Sequence, residues 1–170
     1  MPGSGKTLVA KTFRAEGFYV ISMGDILRQD FEKNKMPNES LMEYAIRIRK
    51  EKGDEIIAKL TSIEIEKVNQ MKVLIDGVRS MKEVNVFQQA GSVEIIAVHS
   101  PPRLRYQRIL QRAREDDTLS EIWLRERDLA ELSLGIGEVI ALADYMILND
   151  SDMETLKQNV LRLVMALKSD

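Results

Sequence analysis

The residues with the clearest chemical purpose stand at the start of the chain, Pro2-Gly3-Ser4-Gly5-Lys6-Thr7. They fit the second part of the Walker A pattern, in which a glycine-rich loop runs into Gly-Lys-Thr and then a helix. Glycines let backbone amides converge on phosphate oxygens, and the positive end of the following helix favours negative charge. Lys6 would reach the β- and γ-phosphates, and Thr7 offers a hydroxyl to Mg²⁺. A second chemical signal is Val73-Leu74-Ile75-Asp76, an apolar strand-like run that ends in a carboxylate. An acid at the carboxyl end of a buried strand is placed to hold Mg²⁺ or its water, as a Walker B acid does. The third signal is a helix carrying Arg105, Arg108 and Arg112, whose spacings of three and four put them on one face. Such a face stabilises charge developing on a transferring phosphoryl group. It could also meet nucleic acid, although the acidic run Glu115-Asp116-Asp117 follows at once and aromatics for stacking are few.

Those residues need a scaffold that aims them. Apolar strand-like runs at Phe18 to Ser22, Val73 to Ile75, Val93 to Val98 and Tyr145 to Leu148 alternate with helical patterns. That alternation predicts an α/β fold with a covered parallel sheet. Lys6 to Glu16 reads as a first helix, ended by Gly17, and Asp25 to Lys33 as a second with Asp25 as its cap. Leu41 to Val68 reads as helix in two pieces broken near Gly53, and its apolar positions suit either an acceptor subregion or a dimer contact. Leu156, Val160, Leu163, Val164 and Leu167 share one face of a C-terminal helix, after an acidic first turn with Asp152 and Glu154. Counting back from Gly5, the first glycine of the full loop pattern falls one position before Met1, and the strand that feeds the loop would precede it. The expectation is that Met1 is an internal methionine and that the natural chain extends upstream.

The 170 residues suffice for one compact domain, with 44% hydrophobic and 31% charged residues. A net charge of −2 gives no bulk attraction to nucleic acid or anionic lipid. The lack of cysteine excludes disulfides and thiolate metal sites, and the lone His99 gives no basis for a histidine zinc centre. No apolar run reaches membrane-spanning length, so the expected setting is the cytosol.

Ile21-Ser22-Met23-Gly24-Asp25-Ile26-Leu27-Arg28 resembles the adenylate kinase segment in which Gly-Asp opens a helix and an arginine one turn later binds the acceptor phosphate. Met23 stands where those kinases usually carry threonine. Asp76-Gly77-Val78-Arg79 resembles their Asp-Gly-x-x-Arg stretch, with the arginine one residue closer. Together with Leu134-Gly135-Ile136-Gly137 and Ala143-Asp144-Tyr145, these motifs resemble an archaeal adenylate-kinase-related, dephospho-CoA-kinase-like family across nearly the whole chain. The resemblance implies a three-layer P-loop NTPase fold in a single domain, with a helical acceptor-binding subregion over about 25–70 and a lid over about 113–128. It implies Arg28 and Arg79 as ligands of the acceptor phosphate, Arg108 and Arg112 as ligands of the donor nucleotide and its transferring group, and Asn149 as a border of the base. The expected reaction is transfer from Mg·ATP to a nucleoside monophosphate, with Lys6, Arg108 and Arg112 catalytic and Thr7 and Asp76 placing the metal. Two other readings stay open. One is phosphorylation of a sugar hydroxyl, as in dephospho-CoA kinase, for which Asp25 is the best general base. The other is a slow ATPase acting as a nucleotide-responsive binding protein. Trp123 suits packing and adenine stacking equally.

Overall fold

A computed structural model of the chain describes residues 1–112 and 120–169, apart from the side chain of Arg112. The chain divides into two compact units, one formed by Met1–Gly17 with the chain from Glu94 onward, the other by Phe18–Val93.

In the Phe18–Val93 unit, β1 (Tyr19–Ser22) pairs in parallel with β2 (Val73–Asp76), with Tyr19 opposite Val73 and Ser22 opposite Asp76. Both strands are short runs of apolar and β-branched residues that end in a polar side chain, but in these two strands, expected to be buried, only Ile21 is buried, Tyr19 is exposed and all of β2 is half-buried. Four helices accompany them: α2 (Met23–Asn34), α3 (Leu41–Lys52), α4 (Ile56–Glu66) and α5 (Met81–Gln88). Their inward residues Met23, Leu27, Tyr44, Ile48, Ile57, Ala58 and Phe87 form one buried cluster. The break expected near Gly53 separates α3 from α4, and this glycine takes φ of 96°, a left-handed value that side chains resist. Ser40 and Glu43 close a reciprocal capping box at the start of α3. The second helix starts at Met23, two residues before the predicted position. Its cap is Ser22, whose hydroxyl accepts from the Asp25 amide at 3.2 Å, so Asp25 lies inside the first turn and does not cap it. The sequence reading assigned no helix to Met81–Gln88. Ser80 nevertheless caps α5 by accepting from the Glu83 amide at 3.3 Å, a Ser-x-x-Glu start signal.

The other unit contains α1 (Lys6–Ala15), β3 (Ile96–His99), α6 (Pro102–Arg112), α7 (Glu121–Ser133), α8 (Ile136–Ala141), β4 (Tyr145–Leu148) and α9 (Met153–Ser169). β3 and β4 pair in parallel, with Ile96 opposite Tyr145 and His99 opposite Leu148. β3 begins later than the apolar run suggested. The Asp144 carboxylate accepts from the Ile95 amide at 2.7 Å, which diverts that donor from the ladder just before pairing starts. α9 packs against both α1 and β4. Its buried stripe is Leu156, Val160, Val164 and Leu167, four of the five residues the helical spacing predicts, with Leu163 only half-buried; Val9 and Phe13 are the buried apolar residues of α1. Among the described residues no helix is long and apolar enough to cross a membrane.

Candidate functional site

The loop from Met1 to Gly5 is held from outside. The Arg105 guanidinium donates to the Pro2 carbonyl at 3.0 Å, and the Asn149 amide donates to the Ser4 carbonyl at 2.9 Å. A trans peptide points its N–H opposite to its C=O, so these two tethers turn the Gly3 amide away from Arg105 and the Gly5 amide away from Asn149. Gly5 then opens α1, and the Leu8 and Val9 amides both donate back to its carbonyl. No side chain caps this helix and no acid occupies its first turn. Its leading amides and the positive end of its dipole are therefore those an anion would meet. Lys6 lies back over the loop, with Nζ 2.7 Å from the Met1 carbonyl, and Thr7 is exposed at the same helix end. Ser4 is buried, and its hydroxyl has no hydrogen-bond partner among the described residues.

Both glycines of this loop are required by geometry. Gly5 has φ of 102°, and a Cβ there would stand 2.5 Å from the Asn149 side-chain nitrogen. Gly3 has φ of 73°, and a Cβ there would meet the Arg105 carbonyl and the Ile109 side chain at 3.0 Å.

The arginines of α6 have different roles despite sharing a face. Arg105 is only 3% exposed. It donates to the Ser100 and Pro2 carbonyls and makes a forked pair with the Asp128 carboxylate of α7. It is a structural cation. Arg108 is half-buried and donates to the Ser100 hydroxyl and the Asn149 carbonyl, each at 3.0 Å, and to the Ser151 carbonyl at 3.2 Å. It thus spans the carboxyl ends of β3 and β4, the end from which α/β folds present ligand-binding groups. Arg112 closes α6. Its side chain lies outside the described residues, as do Arg114 and the rest of 113–119 at the start of the expected lid. On α7, Trp123 is 39% exposed, with the Arg127 guanidinium 5.3 Å from its ring centre, and Arg125 pairs with Glu121.

The Phe18–Val93 unit carries the acceptor candidates Asp25, Arg28 and Arg79. Ser22 and Asp76 face each other at the ends of β1 and β2, so the segments that follow both leave from one end of the pair. A Cβ on Gly77 would lie 3.5 Å from the Met23 Cβ, which shows how closely the turn after Asp76 lies against the start of α2. Asp25 and Arg28 form an ion pair there, with both side chains more than half exposed. Met23 is 3% exposed and belongs to the core, so its side chain is not available to a base. Glu83, absent from the sequence reading, is buried beneath this segment and accepts from the Arg79 amide at 2.7 Å. Burial pushes its carboxyl above the usual value, against the opposing pull of the Arg79 amide and of the Arg49 and Arg79 charges. The Ser-x-x-Glu signal marks this residue, but its burial depends on helices distant in sequence.

Against this geometry the comparisons are consistent. The sequence family described as an AAA domain matches residues 1–123. A UPF0200 protein of Sulfurisphaera tokodaii is 48% identical over 165 residues, covering 96% of this chain and 92% of the relative. A UPF0200 protein of Thermococcus onnurineus is 42% identical, with the same two coverages. Among solved structures, the TT1252 protein of Thermus thermophilus superposes with a TM-score of 0.70 at 17% identity, covering 98% of this chain and 93% of that one. A shikimate kinase from Bacteroides thetaiotaomicron gives 0.59 at 17% identity, covering 98% and 93%. A dephospho-CoA kinase from Campylobacter jejuni gives 0.55 at 18% identity, covering 95% and 92%. The likeness to these structures shows a shared α/β fold of parallel strands and helices. The chain belongs to the UPF0200 family and to the family described as AAA domains.

Proposed function

We propose that this UPF0200 protein transfers the γ-phosphoryl group of Mg·ATP to the phosphate of a nucleoside monophosphate. The observation that carries the reading is the loop itself: its carbonyls are held outward by Arg105 and Asn149, and its amides lead into an uncapped helix with no acid in its first turn. In this reading an acceptor phosphate oxygen attacks Pγ, the bond from Pγ to the β,γ-bridging oxygen breaks, and ADP leaves. Lys6 exchanges the Met1 carbonyl for phosphate oxygens. Arg108 and Arg112 stabilise the equatorial oxygens of the transferring group, and Arg28 and Arg79 hold the acceptor phosphate. Asn149 contributes through the loop that it supports.

The donor set fits Mg²⁺. The Thr7 hydroxyl and the Asp76 carboxylate, the donors this reading assigns to the ion, are each hard oxygen ligands of the kind Mg²⁺ takes. Mg²⁺ would neutralise charge on the β- and γ-phosphates, while the chain's own residues bind and orient both substrates.

A hydroxyl acceptor is favoured by one observation, the exposed Asp25 carboxylate in the first turn of α2. There it would take the proton of an attacking sugar hydroxyl. A panel of nucleoside monophosphates and dephospho-CoA, each incubated with the protein and Mg·ATP, separates the readings. The expected result is a nucleoside diphosphate. Transfer to dephospho-CoA alone would favour the hydroxyl reading, and slow phosphate release with every acceptor would overturn both.

A further inference from the structure

Arg105 joins two parts of its unit that are far apart in sequence. One guanidinium nitrogen, Nη1, donates both to the Pro2 carbonyl of the phosphate loop at 3.0 Å and to Asp128 Oδ1 of α7 at 2.9 Å. Nη2 binds the second oxygen of the same carboxylate, and Nε holds the Ser100 carbonyl at 3.1 Å. Asp128 Oδ2 also accepts from the Tyr106 hydroxyl at 2.7 Å. Arg105 is 3% exposed and Asp128 8% exposed, so neither has water to replace a lost partner. A buried pair of this kind holds as a unit, because removing one member strands the charge of the other.

We propose that Arg105 and Asp128 are positioning residues that couple the phosphate loop to α7. Arg105 fixes the Pro2 peptide so that the Gly3 amide faces the phosphates, and Asp128 makes that orientation depend on where α7 lies. A shift of α7 must draw Arg105 away from Pro2 or break the forked pair. Conversely, phosphate drawn onto the loop amides pulls through Arg105 on α7. Trp123, the only tryptophan of the chain, reports that motion from the same helix. Arg127, whose guanidinium lies over its ring, is the neighbour of Asp128 in sequence. The inference rests on the proposed function only in taking a nucleotide as the loop's ligand.

The test follows Trp123 emission while the full chain is titrated with Mg·ADP or a non-hydrolysable Mg·ATP analogue, with binding measured in parallel by calorimetry. The wild type should bind and shift its emission. Asp128→Asn should bind nucleotide about tenfold more weakly, the scale of one charge-assisted contact, and lose most of the emission shift. Its KM for the acceptor should stay unchanged. Tyr106→Phe, which keeps the ion pair, should show a smaller loss in the same direction, and it decides the matter if Asp128→Asn fails to fold. Binding by the wild type without an emission shift, or a full shift in both variants, overturns the coupling alone. No calorimetric binding by the wild type overturns the nucleotide reading and the coupling with it.

Discussion

The Asn149 side-chain amide reaches the Ser4 carbonyl across 2.9 Å, tying the residue that follows β4 to the phosphate loop 145 positions earlier. Asn149 is 6% exposed, so its removal leaves a carbonyl that water reaches poorly. Asn149→Ala should cost about 1–3 kcal/mol of stability, the range for a buried polar group left unsatisfied. It should also weaken Mg·ATP binding, because the Ser4-Gly5 peptide becomes free to turn its amide away. Asn149→Asp should be worse, since it sets a negative oxygen against the Ser4 carbonyl. Thermal melts with nucleotide titrations check both, and unchanged ATP affinity in the alanine variant would refute the tether.

Gly5→Ala tests the same contact from the other side. Its new Cβ would lie 2.5 Å from the Asn149 nitrogen and would have to accept φ of 102°. Backbone strain of this kind costs on the order of 1–3 kcal/mol, and here it falls on the residue that opens α1. Nucleotide binding should drop sharply in the single variant. Adding Asn149→Ala removes the clash and leaves the strain, so the two losses should sum to less than their separate values. Full additivity would show that the two residues do not press on each other.

The parts of this site legible in sequence are those fixed by local geometry. A Gly-Ser-Gly-Lys-Thr loop before a helical pattern admits few conformations, and Gly53 breaks its helical stretch wherever that stretch packs. Val73 to Asp76 carries its own apolar signal. The rest depended on partners distant in the chain. Helical spacing places Arg105 and Arg108 on one face, but only Asp128, 23 residues away, makes Arg105 a buried cation and leaves Arg108 to the strand ends. Ser22 and Asp25 are both good caps, and the strand's end at Ser22 decides between them. Met23 stands at a motif position where threonine is usual, and it is taken up by the core of its unit.

Arg28 gives the sharpest test of the acceptor assignment. Its guanidinium pairs with Asp25 and is 57% exposed, so Arg28→Ala should leave stability within about 0.5 kcal/mol of wild type, as exposed substitutions usually do. If Arg28 holds the acceptor phosphate, the variant loses a charge-assisted hydrogen bond worth about 1.5–3 kcal/mol in acceptor binding. The affinity for Mg·ATP should hardly change. Steady-state kinetics with each substrate varied in turn makes the comparison, and equal losses for both nucleotides would reject the role.

Glu83 predicts a dependence on pH. Burial raises its carboxyl above the ordinary value of 4.5, and the Arg79 amide with the Arg49 and Arg79 charges offsets only part of that shift. The folded chain therefore holds this proton more tightly than the unfolded chain does. The stability this group contributes is fully present below the unfolded value and is lost as pH rises through the folded one. Glu83→Gln stays neutral throughout, and its side-chain carbonyl can still accept from the Arg79 amide, so the turn between Asp76 and Ser80 should keep its shape. Relative to wild type, the variant should gain in melting temperature as pH rises from the ordinary carboxyl value of 4.5 towards neutrality, because only the wild-type carboxyl ionises. Melting curves of the two proteins across that interval make the measurement. A wild type that gains on the variant as pH rises would mean that the arginines outweigh burial and that Glu83 is a stabilising carboxylate.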